Sequence, residues 1–265
     1  MNKKRNYLLD AIRGFTMISM VLYHTSFDYF IVFSRNPDFL KYQWSFLWQQ
    51  SICISFILLS GIVWPLGKKH AIKRGIILNL FGIIITFVTL IFMPEEFIFF
   101  GILNFIGCAT LFMLPIDRLV NTIIGRNNIA STDHSDAASK HTADIICTII
   151  CLILFAITKR IPNGYIGTRN HIITMLPDSL YQSEALIPFG LPTKNFFSSD
   201  YFPLIPWLFM YMAGYNIGRI ILNNNRFNEL GSRRIPFLSW LGTKSLIVYL
   251  IHQPIAYAIV WLICR

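Results

Sequence analysis

Charge is scarce in this chain: only 14% of its 265 residues are Asp, Glu, Lys or Arg, where about a quarter is usual in a soluble domain. With 54% hydrophobic residues and a mean hydropathy of +0.54, that scarcity excludes a water-soluble globule. Acidic residues are the scarcer kind, 13 against 23 Lys and Arg. In a soluble protein the resulting surplus of +10 would point to nucleic acid. Here the basic residues sit in short segments beside apolar runs, as topology signals do, so nucleic-acid binding is rejected. There is no CxxC pair, and Cys53, Cys108, Cys147 and Cys151 all fall inside apolar runs. They read as small hydrophobes, and neither a disulfide framework nor a metal site is expected. No internal repeat is visible, which argues against the inverted-repeat transporter architectures. Nor does a small-residue cleavage site follow the basic start; Asp10 and Arg13 interrupt the apolar stretch, so the first span is expected to stay in the protein.

Aromatic residues are plentiful, at 15%. Rings at that density collapse together or enter lipid, which excludes disorder. The expected fold is an all-α integral membrane protein, a bundle of about seven transmembrane helices with a cytoplasmic N-terminus, in a bacterial cell membrane. Apolar runs place the spans near 9–33, 44–66, 75–93, 98–115, 144–158, 202–222 and 241–263. With the N-terminus inside, most Lys and Arg fall on the inner side, including the cluster Lys68, Lys69, Lys73 and Arg74, as the positive-inside rule requires. Residues 1–265 are read as a single membrane-embedded domain. Within it, residues 119–143 form a polar cytoplasmic linker, and residues 159–201, which carry Tyr165, Leu176, Tyr181, Ile187 and Phe189, form an ordered outer lid.

Polar residues inside the spans carry the functional signal. Asp10, Arg13, His24 and Asp28 are separated by three, eleven and four residues, so all four share one face of the first helix, with His24 about 16 Å beyond Arg13. Asp28, one turn from His24, is placed to fix the tautomer of the imidazole, as a general base needs. The alternative is an interhelical polar clamp. Ser245, Tyr249 and His252 form a second such stripe in the last span, followed by Pro254; His252 reads equally as a site residue or as a packing residue bonded to a carbonyl that Pro254 frees. Before the sixth span, Asp200 and the Pro203 to Trp207 segment combine a carboxylate with an aromatic wall. That combination suits a carbohydrate, and it equally suits an interfacial aromatic belt.

Five motifs occur in order along the chain: Arg5-x4-Asp10-x2-Arg13-Gly14 with Met20 to His24, Phe56 to Gly61, Phe100-Gly101-Ile102-Leu103-Asn104-x-Ile106-Gly107, Asp200-Tyr201-x-Pro203-Leu204-x-Pro206-Trp207, and Leu241-Gly242-x2-Ser245-Leu246-x2-Tyr249-Leu250-x-His252-Gln253-Pro254. Together they resemble the catalytic-domain family of heparan-alpha-glucosaminide N-acetyltransferase. The opening motif alone is also similar to the acyltransferase 3 family. The resemblance implies transfer of an acetyl group from cytoplasmic acetyl-CoA, a co-substrate, to an amine or hydroxyl of a sugar or cell-surface glycan on the outer side, with no metal required. On that reading His24 is base or nucleophile, Asp28 orients it, and His252 and Asn104 are polarising donors. Arg13, Lys73 and Arg74 hold the CoA phosphates, while Asp200 and Trp207 meet the acceptor. Direct transfer and an acetyl-histidine intermediate are both allowed. Membrane lipid is the other expected partner, and a homo-oligomer is compatible with the pattern. The competing function is a small proton-coupled transporter or sensor, or a structural subunit, in which the same histidine and carboxylate relay protons or clamp helices.

Overall fold

A computed structural model of the chain describes residues 6–124, 134–168, 171–222 and 224–265. Nearly all of the regular structure is helical: α1 (Tyr7–Phe27), α2 (Gln43–Gly67), α3 (Ala71–Phe92), α4 (Ile102–Ile123), α5 (His134–Thr158), α6 (Leu204–Leu222), α7 (Asn225–Gly231), α8 (Pro236–Thr243) and α9 (Ser245–Cys264). The one departure from an all-α fold among the described residues is an antiparallel pair of short strands, β1 (Tyr165–Gly167) and β2 (Ile172–Met175), with Tyr165 opposite Met175. It lies in the 159–201 segment, which continues through short 3-10 turns at Asp178–Tyr181 and Glu184–Phe189. In the stretch read as a linker, α4 runs to Ile123 and α5 starts at His134; the Ser131 to Asp133 part of that stretch lies outside the described residues.

Among the described residues, four stretches are long and apolar enough to cross a membrane: Gln43–Phe92, which holds both α2 and α3, then Ile102–Ile123, Ser139–Asn163 and Ser245–Cys264. Their outer faces agree with that composition. Ile72, Ile76, Ile83, Phe87 and Ile91 on α3 are exposed, as are Ile145, Ile149 and Ile153 on α5 and Ile247, Ile251, Ile255 and Ile259 on α9. Continuous apolar faces of this kind are stable only against lipid or another protein.

The chain packs as two compact units, one made of the chain up to Leu59 with Ile221–Arg265, the other of Ser60–Ile220. In the first, Asn6 caps α1 by accepting from the Leu9 N–H at 3.1 Å, which satisfies one of the free donors of the first turn. Met17, Met20, Tyr23, Phe39 and Ile52 form its buried centre, with Trp48, Val248 and Tyr249 against them. Two glycines let α1 and α8 touch backbone to backbone: a Cβ on Gly14 would lie 2.1 Å from the Leu238 carbonyl oxygen, and one on Gly242 would lie 1.8 Å from that of Asp10. Only glycine fits either place. At Asp28 the helix widens into a π-helical turn, Asp28–Val32, a distortion often found at functional sites. In the second unit, Gly75, Gly82 and Gly107 admit side chains and carbonyls at the contact of α3 with α4, and Trp64 donates its indole N–H to the Thr110 carbonyl at 3.0 Å.

Candidate functional site

In the first unit, α1 and α9 bring the two histidine stripes together. The rings of His24 and His252 meet edge to face with centroids 4.9 Å apart, and Tyr23 and Tyr249 flank them at 5.8 Å from His24 and 5.5 Å from His252. The Nδ1 of His252 lies 2.6 Å from the Tyr249 carbonyl oxygen. A carbonyl only accepts, so Nδ1 carries the proton, and in the neutral ring Nε2 is left as a lone-pair acceptor. That Nε2 is buried without a hydrogen-bond partner. His252 was expected as a polarising donor; with this tautomer it presents an acceptor, and it donates from Nε2 only after taking a second proton.

Asp28 is almost completely buried, with 1% exposed, and its Oδ1 accepts from the Gln253 amide nitrogen at 2.9 Å. The carboxylate expected to orient His24 is thus tied across to α9. Gln253 stood in the last sequence motif without a role, because a glutamine before a proline carries no titratable signal. Its position next to His252 was the available clue. At the other end of α1, Arg13 pairs with Asp10 at 3.3 Å and keeps about a fifth of its side chain exposed.

The remaining sequence candidates belong to the second unit. Asn104 is buried and donates to the Asn79 backbone oxygen at 3.4 Å; its amide occupies the space left by Gly82. It also borders a cavity of about 280 Å³ with Ile83, Thr86, Phe87, Phe99 and Phe100. Asp200 stands at the start of α4, where its Oδ2 accepts from the Ile102 N–H at 3.3 Å. Burial pushes its carboxyl up to about 6, and the Ile102 hydrogen bond pulls the other way. Trp207 is buried between Phe155 and Phe202, both with ring centroids 5.1 Å away, which makes it a packing residue rather than part of an open aromatic wall. Lys73 is exposed on α3, while the Arg74 guanidinium lies over Gly67.

Sequence reasoning missed an ionic chain in this second unit, buried except at Lys68, whose side chain is about half exposed. Lys68 donates to Asp117 at 2.5 Å, the Tyr215 hydroxyl donates to the same carboxylate, Arg219 donates to the Tyr215 oxygen at 2.9 Å, and Arg219 pairs with Asp144 at 3.4 Å. Asp117, Asp144 and Arg219 are all buried. The signal was present: Tyr215 and Arg219 are one turn apart on a span, and Asp117 closes an otherwise apolar run. Among the described residues, no group of three or more His, Cys, Asp or Glu is disposed to hold a metal ion.

Nearly all-helical structure with long apolar helices whose outer faces are exposed defines a helical membrane protein. More specifically, the chain belongs to the family described as heparan-alpha-glucosaminide N-acetyltransferase, catalytic, whose pattern it matches over residues 5–130 and 144–254. Searches of curated proteins and of solved structures each returned no match.

Proposed function

We propose that this chain is a membrane acyltransferase that moves an acetyl group from cytoplasmic acetyl-CoA to an amine or hydroxyl of a sugar or cell-surface glycan on the outer side of the membrane. The observation that carries the reading is the His24 and His252 pair, two imidazoles 4.9 Å apart in a chain whose family is described as an acetyltransferase. Acyl transfer from a thioester needs a base for the acceptor proton and stabilisation of the oxyanion that forms. His24 is that base: it takes the proton from the acceptor nitrogen or oxygen as the new bond to the acetyl carbon forms. The carbon–sulfur bond then breaks, and the proton passes to the departing thiolate to give free CoA. In the two-step variant His24 is first acetylated and hands the group on. Arg13, a partly exposed cation within α1, suits the CoA phosphates, with Lys73 and Arg74 as further cations on the basic side. Asn104 is read as a polarising donor and Asp200 as an acceptor-side residue, both in the second unit.

The test is to incubate membranes containing the protein with acetyl-CoA labelled in the acetyl group and to follow label into glycan. Label in glycan from wild type and none from His24→Ala supports the reading. Equal labelling from membranes that lack the protein overturns it.

A further inference from the structure

We propose that the β1–β2 pair is a membrane anchor that rests in the lipid headgroup layer at the end of α5, with apolar side chains turned into the upper acyl region. β2 (Ile172–Met175) is exposed along its whole length. Yet it is mostly apolar: Ile172 is 55% exposed, and Ile173 and Met175 are 67% each. Such a patch is stable only under a cover. Tyr165 stands directly opposite Met175, and cross-strand partners share a face, so that face also offers a phenol ring, which favours the boundary between lipid and water.

The place of the pair in the chain points to the occupant. The apolar stretch able to cross a membrane ends at Asn163, and β1 starts at Tyr165. The base of the pair is fastened there: the Tyr165 N–H donates to the Arg160 carbonyl at 3.4 Å, and the Leu176 N–H to the Gly164 carbonyl at 2.9 Å. Lys159 and Arg160, both partly buried, follow the helix, and the Lys159 ammonium lies 5.7 Å from the Phe155 ring centroid. Cations at a span end reach the lipid phosphates. Ile173 is about 7 Å along the strand from Met175 at the base, and the headgroup layer is about 5–8 Å deep. Both side chains therefore stand in that layer whichever way the pair leans. A second copy of the chain answers the geometry less well. Edge-to-edge pairing would cover the backbone of β2 and leave the Tyr165 and Met175 face as bare as before, and the register slip at Ile166–Gly167 bends the edge. In a two-stranded sheet each strand keeps an open edge. That edge sets the depth, because unpaired N–H and C=O groups are excluded from hydrocarbon but find water and ester oxygens among the headgroups.

The experiment uses the full chain in phosphatidylcholine vesicles, with p-benzoylphenylalanine replacing Ile173 or Met175 in turn and, as a reference on the exposed face of α5, Ile149. Irradiated benzophenone takes a hydrogen from a nearby C–H bond and the two carbon radicals join, so the chain gains the mass of whatever it touches. Both strand positions are expected to gain one phospholipid, as Ile149 does, with the new bond located by fragmentation at the glycerol or the upper acyl chain. Adding Ile173→Asp to the chain that carries the probe at Met175 should reduce this adduct severalfold, since a carboxylate resists the apolar layer. The unfolding temperature in detergent should stay unchanged. Chain-to-chain adducts at both strand positions would put a second copy in place of lipid and overturn the anchor. Phospholipid captured at Ile149 alone overturns it too, as does an adduct at Met175 that Ile173→Asp leaves untouched.

Discussion

The two units each bury a polar cluster among apolar helices, and they finish the job differently. In the second unit, Lys68, Asp117, Tyr215, Arg219 and Asp144 form a chain in which every member is engaged by another, although Arg219 Nη2 is buried without a hydrogen-bond partner of its own. Such a chain ties together the α2–α3 turn, α4, α5 and α6 through opposite charges. In the first unit the cluster is incomplete: His252 Nε2 and Gln253 Oε1 are buried acceptors without partners. Burial alone therefore does not separate a clamp from a site. The clusters differ in chemistry: the second unit joins opposite charges directly, whereas the first holds neutral acceptors, and a buried group with spare hydrogen-bonding capacity costs free energy in the resting protein.

The strongest way to break this contrast is to remove one member from each cluster. His24→Ala should lower acetyl transfer by at least about a hundredfold with an unchanged unfolding temperature, as measured on purified protein with labelled acetyl-CoA. Asp117→Ala should do the reverse. It leaves Lys68 without its carboxylate and the Tyr215 hydroxyl without its acceptor and should cost about 1–3 kcal/mol of stability, read as loss of folded protein in detergent, while the surviving folded fraction turns over normally. A smaller effect is expected from Arg13→Gln, about tenfold weaker acetyl-CoA binding with acceptor binding intact, measured by direct titration. Asp28→Asn should lower kcat severalfold, less than His24→Ala, since an amide still meets Gln253 while the negative charge beside the histidines is gone.

The smallest effect concerns pH. Asp200 holds its proton up to about 6 in the fold against an ordinary 3.8, so the folded state binds that proton more tightly than the unfolded chain does. Stability should therefore fall as pH rises from about 4 to about 6 and level off above, and Asp200→Asn should flatten that part of the curve in thermal unfolding. A slope that persists in Asp200→Asn would assign it to another group.

Much of this arrangement is legible in the sequence, and the limits have physical causes. Helical spacing alone puts Asp10, Arg13, His24 and Asp28 on one stripe and Tyr249 with His252 on another, because a helix fixes which residues share a face. It says nothing of which stripe meets which, so the hydrogen bond from Gln253 to the Asp28 carboxylate could not be foreseen. The same gap hid the ionic chain, whose members come from four separate stretches and meet only through packing. The burial of Trp207 was hidden for a different reason: an aromatic residue beside prolines reads alike whether it lines a cleft or fills a core, and here Phe155 and Phe202 pack against it. Composition identified lipid-facing helices well, yet a hydropathy criterion selects only four stretches, because residues such as Asp10, Arg13 and Arg219 make some helices too polar to register.

The contact of Gly14 and Gly242 has a mechanical consequence. Main chain against main chain leaves no rotamer to relax, so the segment of α1 that carries Asp10 and Arg13 moves with α8 as one rigid lever. Lys244 alone separates α8 from α9. The stretch of α1 that holds Asp10 and Arg13 is thus seated directly on α8, one residue away from the start of the helix that carries His252.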